Sequence, residues 1–237
     1  MNAVAIETAT ETVGVAVRTD DGVQAEFTLT GRRRHVESLT PALEHLLDQV
    51  GLSVADIGLV VVDLGPGLFT GLRVGVAAAK GLAQARRIGV IGLSSLEVLQ
   101  WAAAEAGHRG AVVTAIDARR GEVFAAAADL GAEGSATELL APGLFSPPDL
   151  ARWLEGLGGT PVLAVGDGAQ RYAEVLGAVP GVSCVVGALA FPPPRTLLHM
   201  GLRRLDQGVA PVDPALVVPL YMREADAVSN FAQITRS

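Results

Sequence analysis

The segment Leu64 to Ala83 reads Leu-Gly-Pro-Gly-Leu-Phe-Thr-Gly-Leu-Arg-Val-Gly-Val-Ala-Ala-Ala-Lys-Gly-Leu-Ala, and no other stretch of this chain is so suited to chemistry or contact. Glycine at 65 and 67 suits a tight strand-to-helix loop whose bare backbone N–H groups approach an anion. Gly71, Gly75 and Ala79, spaced four apart, suit a different job: a helix face smooth enough for a second helix to lie close. The anion reading meets obstacles. No Lys-Ser or Lys-Thr follows the last glycine, so the loop is not a P-loop. The Gly-x-Gly-x-x-x-Gly spacing mimics a dinucleotide fingerprint, but the next strand ends Ile91-Gly92-Leu93-Ser94 with no acid for a ribose hydroxyl. Asp117, at a second turn, is followed by two bulky arginines before Gly121, which would crowd a triphosphate.

Metal and nucleophile chemistry find less support. His35 has Leu39 four positions on, and His45, His108 and His199 are isolated too, so no ligand pair stands at helical spacing. Cys184 is the one cysteine, set in the apolar run Val182 to Val186, and it reads as a packed thiol in a reducing compartment. A net charge of −7 argues against gripping nucleic acid unaided; the clusters Arg32 to Arg34 and Arg119 to Arg120 read as solvated loop arginines.

The elements that position these residues follow from pattern. Half of the 237 residues are hydrophobic but only 4% aromatic, which suits an α/β protein packed with small side chains. No apolar run reaches the roughly 18 residues of a membrane helix. A strand pattern begins at once, with no signal peptide, so the expected location is cytoplasmic. Ala3 to Glu7, Val13 to Thr19 and Val23 to Thr30 form a meander, with Asp20-Asp21-Gly22 as a hairpin turn. Val36, Leu39, Leu43, Leu46, Leu47 and Val50 stripe a helix whose start is placed at Thr40-Pro41. Ile57 to Val62 is a buried parallel strand, the glycine loop and a helix to Arg86 follow, and Ile88 to Ile91 is another strand. Ser94 and Glu97 have capping-box spacing.

The layout then repeats. Ala111 to Ile116 and Glu122 to Ala127 flank the turn at Asp117. A helix at Pro148 to Leu157, a strand at Pro161 to Val165, the turn Gly166-Asp167-Gly168 and a helix at Ala169 to Leu176 complete the second half. Pro192 to Pro194 reads as a link, after which the helix Thr196 to Gln207 packs back on the first half. Two duplicated α/β domains are expected: residues 1–104 with 195–224, and a smaller 105–194, leaving a mobile tail at 225–237.

Gly-Pro-Gly-x-Phe-Thr-Gly-Leu-Arg-x-Gly resembles the signature of the TsaB (YeaZ) family. Ile6-Glu7-Thr8-Ala9-Thr10, Ser94 to Glu97, Asp117 to Val123, Gly166 to Ala169 and Pro219 to Arg223 follow in family order. The resemblance runs from residue 3 to about 227. It departs at Glu7, where the family has Asp, and at Leu68, where a small residue is common.

The resemblance implies two actin-like ATPase (ASKHA, ribonuclease H-like) domains with mixed sheets. It implies a non-catalytic partner of a TsaD-like paralogue, which makes threonylcarbamoyladenosine next to the anticodon of tRNAs reading A-starting codons. A TsaE-like ATPase joins them, tRNA is met through the complex, and the chain alone is a homodimer. No cofactor of its own is implied; ATP and metal belong to the partners. The partner surface is expected at His35, Leu39, Leu43 and Leu46 on the first helix and Gly71, Arg73, Val74, Gly75, Ala78 and Ala79 on the next. Thr8, Thr10, Gly65, Gly67 and Asp117 are the nucleotide-type positions, read first as turn and packing residues. The rivals are a free-standing actin-fold ATPase or small-molecule kinase and, with neither ligand pair nor nucleophile to support it, a peptidase.

Overall fold

The computed structural model describes residues 1–31, 35–132 and 135–223; Arg32 to Arg34, the His35 side chain and the expected tail lie outside the described residues. The alternating opening forms β1 (Ala3–Glu7), β2 (Thr12–Arg18) and β3 (Gln24–Thr30), paired antiparallel. The hairpin closes through the Thr19 N–H, which donates to the Val23 carbonyl at 2.9 Å. Then come α1 (His35–Gln49), β4 (Leu59–Asp63), α2 (Phe69–Arg86), β5 (Val90–Leu93) and α3 (Ser95–Glu105). β4, apolar until Asp63, is buried throughout and pairs parallel with β1 and β5, giving the order β3-β2-β1-β4-β5.

The second half repeats this. β6 (Gly110–Arg119), β7 (Glu122–Leu130) and β8 (Ala136–Phe145) are antiparallel. After α4 (Pro147–Glu155), β9 (Val162–Val165) joins β6 in parallel; after α5 (Asp167–Arg171) and α6 (Ala173–Leu176), β10 (Val182–Cys184) joins β9. The order β8-β7-β6-β9-β10 matches the first sheet strand for strand. This is a duplicated α/β fold with two mixed sheets. α7 (Pro194–Asp206) returns to the first sheet, where Leu197 and Leu198 share a core with Ala3, Ala5 and Val61.

Several elements differ from the sequence reading. α1 begins at His35 and carries Pro41 inside it. Proline there removes one donor to the carbonyl four residues back, and its exposed position leaves that carbonyl to water. β8 was not expected at all. It is a mostly exposed edge strand with Pro142 in it, beside register shifts around Ala125 to Ala128, so it lacks the apolar alternation of a half-buried strand. The helix expected over 169–176 is two short ones meeting at Tyr172. Ser94 caps α3 by accepting the Leu96 N–H, but Glu97 leaves the cap and pairs with Arg204.

Candidate functional site

The glycine loop joins the C-terminal end of β4 to α2. Gly65 lies at φ +101°, where side-chain-bearing residues are strained. Gly67 is pressed onto the β1–β2 turn: a Cβ there would sit 2.0 Å from the Ala9 carbonyl oxygen, which also accepts the Leu68 N–H at 2.6 Å. The gap an anion would need is therefore filled by backbone. The other nucleotide-type residues of this half are engaged as well. Thr8 Oγ1 donates to the Gly71 carbonyl at 2.8 Å, while the Thr10 N–H and hydroxyl donate to Glu7 Oε1 at 3.2 and 3.1 Å.

Asp117 does not join that cluster directly. It ends β6, almost wholly buried, and it holds arginines. Its Oδ1 accepts the Arg119 N–H at 2.9 Å, and Oδ2 pairs with Arg119 at 2.9 Å and Arg171 at 3.3 Å. Arg119 reaches on to Glu11 at 2.5 Å, so one guanidinium bridges the β1–β2 and β6–β7 turns. Desolvation of Arg119 is outweighed by Glu11 and Asp117, and its pKa is raised further. Asp167, at the matching glycine turn, accepts the Asp117 N–H, and burial pushes its pKa up to about 6. Cys184 is half-buried in β10, and burial pushes its thiol up.

Part of the expected surface lies inside the chain. Gly71, Gly75 and Ala79 are buried. Thr8, just past β1, bonds the Gly71 carbonyl, Gly75 faces Thr8 and Ile6, and Ala79 shares a core with Val4 and Ile6. A Cβ on Gly75 would meet Thr8 Oγ1 at 2.2 Å. Glycine is used here to bring α2 close to its own sheet, so the smooth face does not stand open. Leu39 and Leu46 likewise point into the first core, each no more than 5% exposed. Leu43, Val74 and Ala78 are half-buried, and Arg73 is exposed. The open row of α2 lies at Phe69, Arg73, Ala77 and Gly81, and nothing stands within 4 Å of a Cβ built on Gly81.

A strap after α7 flanks that row. The Leu220 N–H donates to the Leu64 carbonyl at 2.7 Å, and Lys80 donates to the Ala215 and Val217 carbonyls at 3.2 and 3.1 Å. Tyr221 stacks on Phe69 with centroids 5.3 Å apart, and its hydroxyl accepts from Arg73 Nε at 3.2 Å. Arg73 also lies 3.7 Å above the Phe69 ring. The aromatic pair went unread in the sequence because its members stand 152 positions apart; the only signal was that each lies within a motif of the family resemblance. A cavity of about 590 Å³ opens between Leu64, Ser94, Ala126, Leu140, Leu220 and Met222. Among the described residues no Lys or Arg lines it. Among the described residues no group of three metal-ligating side chains occurs, and no helix is long and apolar enough to cross a membrane.

Comparison with known proteins is consistent with this geometry. A family model described as TsaD, tRNA N6-adenosine threonylcarbamoyltransferase, matches residues 22–143. The Bacillus subtilis tRNA threonylcarbamoyladenosine biosynthesis protein TsaB is 31% identical over 98% of this chain and 99% of its own length. The Escherichia coli protein of the same name is 31% identical over 94% and 95%. Among solved structures, a Pseudomonas aeruginosa protein described as similar to peptidase YEAZ has a TM-score of 0.80 at 25% identity, covering 94% of this chain and 99% of that one.

Proposed function

This chain belongs to the TsaB family, and from that premise we propose that it acts in tRNA threonylcarbamoyladenosine biosynthesis as the non-catalytic partner of a TsaD-type transferase. The observation that carries the reading is the outward face of α2. Phe69 and Tyr221 form an aromatic anchor beside Arg73, and Ala77 and Gly81 continue the row with almost no side chain. An exposed aromatic–arginine pair beside a smooth helix surface has the composition of an interface hot spot. The closed glycine loop and the Arg119 bridge support a role without nucleotide turnover. In this reading a second copy takes the same face when the chain is alone, a TsaE-type ATPase joins the complex, and tRNA is met through the transferase.

Two measurements test it. Gly81→Leu has room in the isolated chain, so it should fold normally yet weaken capture of the transferase by tenfold or more in a titration. In a reconstitution with transferase, ATPase, donor and tRNA, leaving this chain out should abolish most of the modification. Full modification without it would sink the proposal, and unchanged affinity of Gly81→Leu would remove the face from it.

A further inference from the structure

Beneath the glycine loop two carboxyl groups, Glu7 at the end of β1 and Asp63 at the end of β4, are sealed from water. Half of each is satisfied. Glu7 Oε1 accepts the Thr10 N–H and hydroxyl; Asp63 Oδ1 accepts the Gly65 N–H at 2.7 Å and the Ser95 hydroxyl at 2.6 Å. The other oxygens, Glu7 Oε2 and Asp63 Oδ2, are the described chain's buried side-chain atoms without a donor. The two side chains lie within hydrogen-bonding reach of each other. Two ionised carboxylates cannot share such a site, whereas one acid and one carboxylate satisfy both orphans with a single O–H···O bond.

We infer that Glu7 and Asp63 hold one proton between them at neutral pH, a latch that ties β1 to β4 under the glycine loop and makes folding take up a proton. Burial, and then the charge of Asp63, push Glu7 well above the usual carboxylate range; burial pushes Asp63 up as well. The pair titrates as a unit. Among the described residues no other charged group bears on it. Glu11 of the β1–β2 turn is held by Arg119. Arg73 and Lys80 of α2 are held by Tyr221 and by the strap. Glu97 and Glu105 of α3 bond Arg204 and His199 of α7. Arg195 of α7 is exposed, Arg18 lies at the far end of β2, and β5 carries no charge.

The sign follows from linkage. Between the ordinary carboxylate range and the raised value of the pair, the folded chain binds a proton that the unfolded chain does not, so stability falls as pH rises through that window. One proton corresponds to about a tenfold loss in the folding constant per pH unit. Infrared spectra of the full chain at neutral pH should show the carbonyl stretch of a protonated carboxylic acid that resists exchange into deuterated water. Glu7→Gln should lose that band and flatten the pH slope of urea unfolding by about tenfold per unit. Asp63→Asn, which offers Glu7 an amide donor, should also lose it. The wild-type spectrum needs no variant to fold. A spectrum with ionised carboxylates alone at neutral pH, or wild-type slopes in a folded Glu7→Gln, would overturn the inference, as would magnesium raising stability in the wild type but not in Glu7→Gln.

Discussion

Asp167 shows how a single side chain carries a pH signature out of the fold. It opens α5 at the second glycine turn, where its Oδ1 accepts the Asp117 N–H at 3.0 Å. Burial is the largest cause of its shift, the Asp117 hydrogen bond opposes it, and the charge of Asp117 adds to it. Its pKa rises from 3.8 to about 6, so the neutral form is favoured in the folded state. Stability from this group is present below pH 4 and is lost as pH rises toward 6. Asp167→Asn keeps the acceptor and removes the ionisation. It should stabilise the chain at pH 7 by about 3 kcal/mol and leave it nearly unchanged near pH 4, as read by urea unfolding across that range. Equal stability of the two proteins at pH 7 would count against a buried, acid-favouring Asp167.

At the scale of elements, the approach of α2 to β1 rests on Gly75 and Thr8. Gly75→Ala would gain about 1 kcal/mol of helix propensity. It also places a methyl 2.2 Å from Thr8 Oγ1, and overpacking of that kind costs about 1–3 kcal/mol or more. The variant should therefore be destabilised, and Thr8→Ala, although it gives up the bond to Gly71, should recover much of the loss in the double variant. Additive effects would mean that the two positions do not touch in solution. The same contact explains what was legible in the sequence. Helical spacing correctly places Gly71, Gly75 and Ala79 on one face, but periodicity cannot say whether a face with no side chains meets the chain's own sheet or another molecule. Leu72, Val76 and Ala83 are buried beside those small residues, so the small-residue face is not left standing open. Parallel strands such as β4 were readable because they are apolar throughout; β8, exposed and interrupted by Pro142, carried no such signal. The duplicated order was readable from two hairpins and two glycine turns. Glu7 was read only as a departure from the family's Asp, because its significance depends on Asp63 across a strand pairing that sequence does not display.

For the whole molecule, duplication goes with an exchange of helices. α3 follows the last strand of the first sheet, yet its Leu96, Leu99 and Ala103 pack with Val112, Ile116 and Phe124 of the second. α7 follows the second sheet and closes the first through Leu197 and Leu198. Polar ties cross the same boundary: Arg119 joins Glu11, and Arg223, at the end of the strap, bonds the Ala118 carbonyl and Glu122. Each half thus supplies part of the other's core. Damage to either exchanged helix should therefore be felt across the boundary. Leu197→Ala, in the later helix, should lower amide-exchange protection first in β1 and β4; Leu99→Ala, in the earlier one, should lower it first in β6 and β7. Each removes a side chain with no solvent exposure and should cost about 2–5 kcal/mol. Leu150→Ala in α4, whose core is confined to the second half, is the control and should act there first. If Leu197→Ala instead loosened β9 and β10 while β1 stayed protected, α7 would not be part of the first half's core in solution.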